Sequence, residues 1–340
     1  MTFTQIPQQY APLGGEIRYA LTAEEAATFD LRIVDAGSGK VLGAKRFAGA
    51  TAVSFDAAPI LRRAVRFIPA RGGTGFHATD GRTVLAFAEA ATSSAVPAAA
   101  AQDAGEPAAG DAADAPLASA LRTFLPRMTP VAAPALLTTM PPTRLIAPGE
   151  CDELTFFADE ACTVTVTAQV GTIATAESYR TLTGGVHVFR LDTRDFPGAE
   201  TLTVDAGACG TVAYTVVAAV PGSRRLAWRS SAGSIEHYTF PVEQSVTLET
   251  VKKRAYGSGG HLVARAATER RSVLVSAYET RAAVEALAEI TASPDVWLAG
   301  GEEYEAVDIV TGKAVVHRHG AVSCLEIEIR PKHKTGMLWN

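Results

Sequence analysis

The sequence predicts a mainly β, multi-domain protein: two immunoglobulin/fibronectin-III-like β-sandwiches followed by an α+β domain with one helix on an antiparallel sheet. Short runs that alternate apolar with polar residues recur along most of the chain. Clusters of Gly, Pro, Asp and Ser separate them, as turns separate strands. Only after Thr280 do apolar residues recur at strong helical spacing, which sets the last domain apart.

Residues 1–90 form the first domain. Ile17, Tyr19 and Leu21 share one face of the strand 16–21, and Phe29, Leu31 and Ile33 share a face of the next. Residues 23–27 read as a short turn between them. A tight turn at 35–39 leads into strands at 41–47 and 52–55. Residues 57–65 make one or two helical turns with Pro59 near the start, and 82–89 is a last strand. Residues 91–128 form a linker. From Ala91 to Ser119 the chain is almost wholly Ala, Pro, Ser, Gly, Asp and Glu, with no Lys or Arg between Arg82 and Arg122. Such a stretch buries no core and reads as a mobile acidic coil.

Residues 129–221 form the second sandwich. The run 162–168 is the purest alternation, with Val164 and Val166 inward and threonines outward. Strands at 153–157, 186–191, 200–204 and 212–220 complete it. Residues 222–340 form the α+β domain. Leu226 and Trp228 open a hairpin whose return strand puts Tyr238 and Phe240 on one face. Strands at 245–254 and 272–279 flank a glycine-rich turn, Gly257–Gly260. Thr280 caps the helix, Val284, Leu287, Ala288 and Thr291 line one side of it, and Ser293-Pro294 ends it. Strands at 296–298, 306–310, from Val315 and at 324–329 follow, and the helix covers one sheet face.

A formal net charge of −5 leaves no basic footprint, which argues against a nucleic-acid partner. Residues 1–7 lack the charged and apolar regions of a signal peptide. The longest apolar runs, such as 214–220, are too short to span a bilayer. The expectation is synthesis in the cytoplasm without membrane insertion. Cys151, Cys162, Cys209 and Cys324 form no C-x-x-C pair. Cys151 and Cys162 are the two a hairpin would bring together, but without export free, half-buried thiols are expected.

Candidate motifs reduce to simpler readings. Gly37-Ser38-Gly39-Lys40 has Val34 and Val41 where a Walker A loop needs Gly and Ser or Thr, so it is a hairpin turn. Gly257–His261 also lies between strands, and no G-x-S-x-G elbow exists. His317 and His319 share a strand face and would supply half a metal site, but they read as a solvated face. Asp192, Asp195, Glu302, Glu303 and Glu305 would serve as acid/base or calcium carboxylates, but no D-x-D-x-D-G loop accompanies them and they read as turn and edge-strand groups. Trp228, Trp297 and Trp339 would form a sugar platform if exposed. The first two sit in strand patterns that favour the core, and Trp339 ends a tail, 332–340, that reads as a docking peptide for a neighbouring subunit. No catalytic, cofactor-binding or metal residue is assigned, no cofactor is expected, and the chain reads as non-enzymatic.

Two stretches carry a resemblance. The first is Ile6-Pro7-Gln-Gln-Tyr10-Ala-Pro12 with Glu16-Ile17-Arg-Tyr19 and Val53-Ser-Phe55-Asp56-Ala-Ala-Pro59-Ile60-Leu61-Arg62. The second is Leu226-Ala-Trp228 through Gly233-Ser-Ile-Glu236-His-Tyr238-Thr-Phe240, with Ser293-Pro294-Asp-Val296-Trp-Leu298. Together they resemble structural, tail-associated proteins encoded in tailed-bacteriophage and prophage genomes. Members usually carry Asn-x-x-Gly-Gly where this chain has Ser230-Ser-Ala-Gly233-Ser. The resemblance implies a structural part of a phage or prophage tail, found in the virion or phage-like particle. Its partners would be other phage structural proteins or further copies of itself. The alternative class is a ligand-binding β-sandwich protein, a carbohydrate-binding or adhesin module, which requires an exposed aromatic platform.

Overall fold

The computed structural model describes residues 1–79, 81–92, 116–181 and 183–332. The expected coil across 93–115 and the docking tail ending in Trp339 lie outside the described residues. The protein is mainly β and multi-domain, with four sheets and two α-helices among the described residues. It divides into two compact units, Met1–Arg66 with Asp80–Val131, and Phe67–Thr79 with Ala132–Asn340.

The first unit is a seven-stranded sheet. Its long strand, Arg18–Asp35, pairs with Thr2–Gln5, Val41–Asp56 and Val84–Thr92. The turn expected at 23–27 is not there. The register against Val41–Asp56 shifts between Thr22 and Ala27 and again before Phe29. Bulges thus absorb the irregular residues without ending the strand, and Tyr19, Leu21, Phe29, Leu31 and Ile33 all stay buried. Asp56 ends its strand and starts helix α1 (Ala58–Ala64): its Oδ1 accepts the N–H groups of Ile17 and Ala58 at 2.9 and 3.0 Å. The linker expected over 91–128 is too long. Leu117–Ala118 and Arg122–Leu125 both pair with Val84–Thr92, and Phe124 and Leu125 are buried. A strand of two to four residues inside a Pro- and Ala-rich stretch is too short to show as a pattern.

The second unit contains the sandwich expected in the middle of the chain. A five-stranded sheet runs Thr143–Ile146, Thr211–Val216, Thr201–Asp205, Thr163–Val170, Ile173–Arg180. A four-stranded sheet runs Gly75–His77, Gly185–Asp192, Cys151–Ala158, Ala135–Leu136. Val164 and Val166 do point inward, against Leu154, Phe156, Phe189 and Leu191. Gly75–His77 does not belong with the first domain, where the sequence put it, because its backbone pairs with Val188–Arg190. Cys151–Ala158 is buried at every position. One of its faces meets the sandwich core and the other meets the third sheet, so apolar–polar alternation is lost.

That third sheet has eight strands, all antiparallel, in the order Ile235–Phe240, Arg224–Arg229, Val296–Gly300, Glu303–Ile309, Val322–Pro331, Gly260–Val275, Val242–Gly257, with Val315–His319 beside Val322–Pro331. Helix α2 (Arg281–Ala288) covers it as expected. Thr280 Oγ1 accepts from Ala283 N, and Val284, Leu287 and Ile290 pack with Trp228, Leu274, Leu325 and Ile327. The domains expected at 129–221 and 222–340 lie in one compact unit because the four-stranded sheet serves both. Leu287→Ala is expected to cost about 2–5 kcal/mol, read from urea unfolding of the full chain.

Candidate functional site

The densest chemistry is a polar seam where side chains of the five-stranded, four-stranded and eight-stranded sheets meet. Arg144 Nη1 meets Asp152 Oδ2 at 2.8 Å, and Arg144 Nη2 lies 3.3 Å from Glu236 Oε2. Tyr214 donates to Asp152 Oδ2 at 2.8 Å, and Ser234 donates to Glu236 Oε1 at 2.7 Å. His237 Nδ1 is 3.2 Å from Asp152 Oδ1, while its Nε2 is 3.3 Å from Tyr304 Oη. Tyr304 Oη in turn is 3.6 Å from Cys151 Sγ. Cys–Tyr–His–Asp in contact resembles an acid–base relay. Cys151, Asp152 and His237 are at most 3% exposed, however, and present almost no surface to solvent.

Burial alone would raise the Asp152 carboxyl, but Arg144 and His237 hold it well below the ordinary carboxylate range. For Glu236 burial wins over Arg144, and the carboxyl is held above its ordinary value. Burial beside Asp152 pushes the Tyr214 phenol well up. The seam is therefore a charged lock with one tightly ionised carboxylate and one reluctant one.

A second cluster takes up the carboxylates that the sequence offered as acid/base or calcium candidates. Arg190 Nη1 meets Asp192 Oδ2 at 2.8 Å and its Nη2 meets Glu302 Oε1 at 3.1 Å. Arg194 grips Asp192 at 2.6 Å and also pairs with Glu302. Gly72 N donates to Glu302 and Thr74 N donates to Asp195. Burial would raise the Asp192 carboxyl, but its bonds to Arg194 and Arg190 bring it down to about 2. Glu303 and Glu305 are exposed on their strand. His317 and His319 lie on an exposed strand, with His319 edge-on to Tyr278 at 4.9 Å. Among the described residues no three His, Cys, Asp or Glu side chains gather as metal ligands.

Trp228 is fully buried and Trp297 half-buried, so these two form no open platform. The four cysteines are free and buried. Cys151 turns to Tyr304 rather than to Cys162, whose Sγ donates to the Ala206 carbonyl at 3.9 Å. Gly37–Lys40 is the expected turn, held by Ser38 N on Asp35 Oδ2 at 2.9 Å.

The remaining feature is a β-ribbon that the sequence showed only in part. Val242–Gly257 and Gly260–Val275 form one long hairpin. Only Ser272–Val275 pairs with the rest of the sheet, so the ribbon extends beyond it by about 35 Å. Every residue from Ser245 to Tyr256 is exposed. Leu248, Val251 and Tyr256 are 66%, 61% and 80% exposed. In its return strand the described side chains between His261 and Arg271 are exposed or half-buried, so no apolar face shows as alternation. The Gly257–Gly260 turn between two strand signals was the available clue.

No helix among the described residues is long and apolar enough to cross a membrane. No family model and no curated protein matches the chain. Among solved structures it is similar to Dpr2 Ig1-Ig2, crystallised in complex with DIP-Theta Ig1-Ig3, at 7% identity and a TM-score of 0.21, over 98% of this chain and 90% of that one. A TM-score at that level carries no shared arrangement, and the fold assignment rests on the strand pairing above.

The two seam carboxylates have opposite linkage. Asp152 is held low when folded, so its contribution is complete above the unfolded carboxylate range, about pH 4, and fades below it. Glu236 is held high, so its contribution is present on the acid side and is withdrawn as pH rises. At neutral pH Asp152→Asn is expected to cost about 3–5 kcal/mol, since it strands Arg144. Glu236→Gln is expected to cost less than about 1 kcal/mol, because it removes a penalised charge and keeps the shape. Urea unfolding of both variants checks the contrast.

Proposed function

We propose that this chain is a non-enzymatic structural component of a phage or prophage tail that works by holding neighbouring protein subunits. The observation that carries the reading is the exposed ribbon 242–275. A two-stranded ribbon this long, with its outer strand exposed from Ser245 to Tyr256, buries little of its own and contributes little to its own fold. Ribbons of this kind supply backbone edges and side chains to partners. The seam supports the same reading, because it ties the sandwich and the α+β sheet through buried ion pairs and gives the ribbon a firm base. The resemblance of the two ends of the chain to tail-associated proteins supplies the setting.

The test is co-expression with the products of the genes that flank its own, followed by negative-stain microscopy of the sedimented particles. The full chain is expected in particles of defined shape. A variant that joins Thr247 to Arg271 through an Asn-Gly turn is expected to fold with an unchanged circular dichroism spectrum and to be missing from them. A chain absent from every such particle overturns the reading.

A further inference from the structure

The outer strand of the ribbon, Val242–Gly257, pairs with Gly260–Val275 on one side and, among the described residues, with no strand on the other. It ends an eight-stranded sheet, and from Ser245 to Gly257 it runs without a bulge of its own. An open edge of this length is a template for another strand. We propose that its occupant is the same strand of a second copy of this chain, paired antiparallel about a two-fold axis through Val251. The inference rests on the reading that the protein assembles through its ribbon, and it names the partner.

The register follows from charge and symmetry. A two-fold axis perpendicular to a continuous sheet places residues of the same face opposite one another, so the two numbers in each cross-strand pair are both odd or both even. With Val251 on the axis, Glu249 of one copy faces Lys253 of the other, and the pair occurs twice. Val251 faces Val251, Val246 faces Tyr256, Leu248 faces the stem of Arg254, and Thr250 faces Lys252. No like charges meet. Moving the axis one residue outward puts Lys252 on Lys252, and two residues outward puts Lys253 on Lys253. Moving it one residue inward sets Glu249 against Val251, and two residues inward sets Glu249 on itself. Opposite charges across a strand pair stabilise it and like charges oppose it, so the sequence of this strand, Thr247-Leu-Glu-Thr-Val-Lys-Lys-Arg254, selects one register.

The pairing also closes. Each edge covers the other, so the product is a dimer with a four-stranded ribbon at its centre and no further edge in it to extend from Val242–Gly257. The exposed Val246, Leu248, Val251 and Tyr256, at 44%, 66%, 61% and 80%, gain apolar neighbours that the single chain does not provide. Lys252 and Lys253 act as gatekeepers in the same step, because they penalise the neighbouring registers that would let the edge slip.

The experiment is sedimentation velocity of the full chain over a concentration series, with charge-swapped variants. Glu249→Lys alone and Lys253→Glu alone are each expected to weaken the dimer by about tenfold, since each sets two like-charge pairs across the axis. The double variant, Glu249→Lys with Lys253→Glu, is expected to restore it. Val251→Cys, on the axis, is expected to form a disulfide-linked dimer under oxidised glutathione, two thiols giving one disulfide while the reagent is reduced. Thr247→Cys, remote from its own copy in this register, is expected not to. All four positions are exposed on the ribbon, and of their side chains Glu249 pairs within the chain, with Arg271 at 3.4 Å, so circular dichroism of each variant accompanies the sedimentation. A chain monomeric at every concentration, a double variant as weak as the single ones, or cross-linking at Thr247→Cys in preference to Val251→Cys overturns the pairing. A monomeric chain that still enters particles rejects the pairing and leaves the structural role standing, and a paired dimer absent from particles does the reverse.

Discussion

The second unit depends on burying one sheet from both sides. Cys151–Ala158 has no exposed residue, and the strand beside it buries Arg190 and Asp192 along with Phe189 and Leu191. A sheet in that position carries polar groups into a dry layer, where each costs free energy unless it is paired. The Arg144–Asp152 ion pair, with Tyr214, Glu236 and His237 around it, answers that constraint. Such a pair adds little net stability over an apolar core, but removing one partner strands the other. It therefore specifies how the sandwich and the eight-stranded sheet meet more than it strengthens the meeting.

The same constraint accounts for the absorption of the candidate chemistry. Side chains that often do chemistry, Cys151, His237, Asp152, Asp192 and Glu302, are spent on architecture, each bound by a guanidinium, a phenol or a backbone N–H. The ribbon stands on the side of the eight-stranded sheet away from the hairpin Arg224–Phe240, at the opposite end of the strand order. One end of this sheet is thus tied to the sandwich through Arg225 on the Cys151 carbonyl, and at the other end the outer strand pairs, among the described residues, on one side only.

Much of the fold was legible residue by residue. Val164 and Val166 alternate with threonines because only one face of their strand is buried, and the structure keeps that face inward. Thr280 and Ser293-Pro294 bracket the helix because capping and proline chemistry are local. The errors also have local causes. Residues 23–27 read as a turn because bulges break alternation without breaking the strand. Arg122–Leu125 vanished into a linker because four residues beside a Pro- and Ala-rich run make no pattern. The seam was not legible at all. Arg144 and Asp152 are 8 residues apart but on strands of different sheets, and Glu236 comes from a third sheet, so no local pattern brings the three together.

The sequence by itself determined the β class, the positions of most strands, the capped helix and the turns, because each depends on neighbours within a few residues. It also determined the charge pattern of the outer strand, which is the information a second copy would read. Only the tertiary structure decided that the sandwich and the α+β sheet share a buried layer, that Gly75–His77 crosses into that layer, and that the outer strand of the ribbon is exposed from Ser245 to Tyr256. These outcomes depend on which distant surfaces are brought into contact. A residue's own neighbours in sequence say how it alternates, but not whether another sheet lies over it.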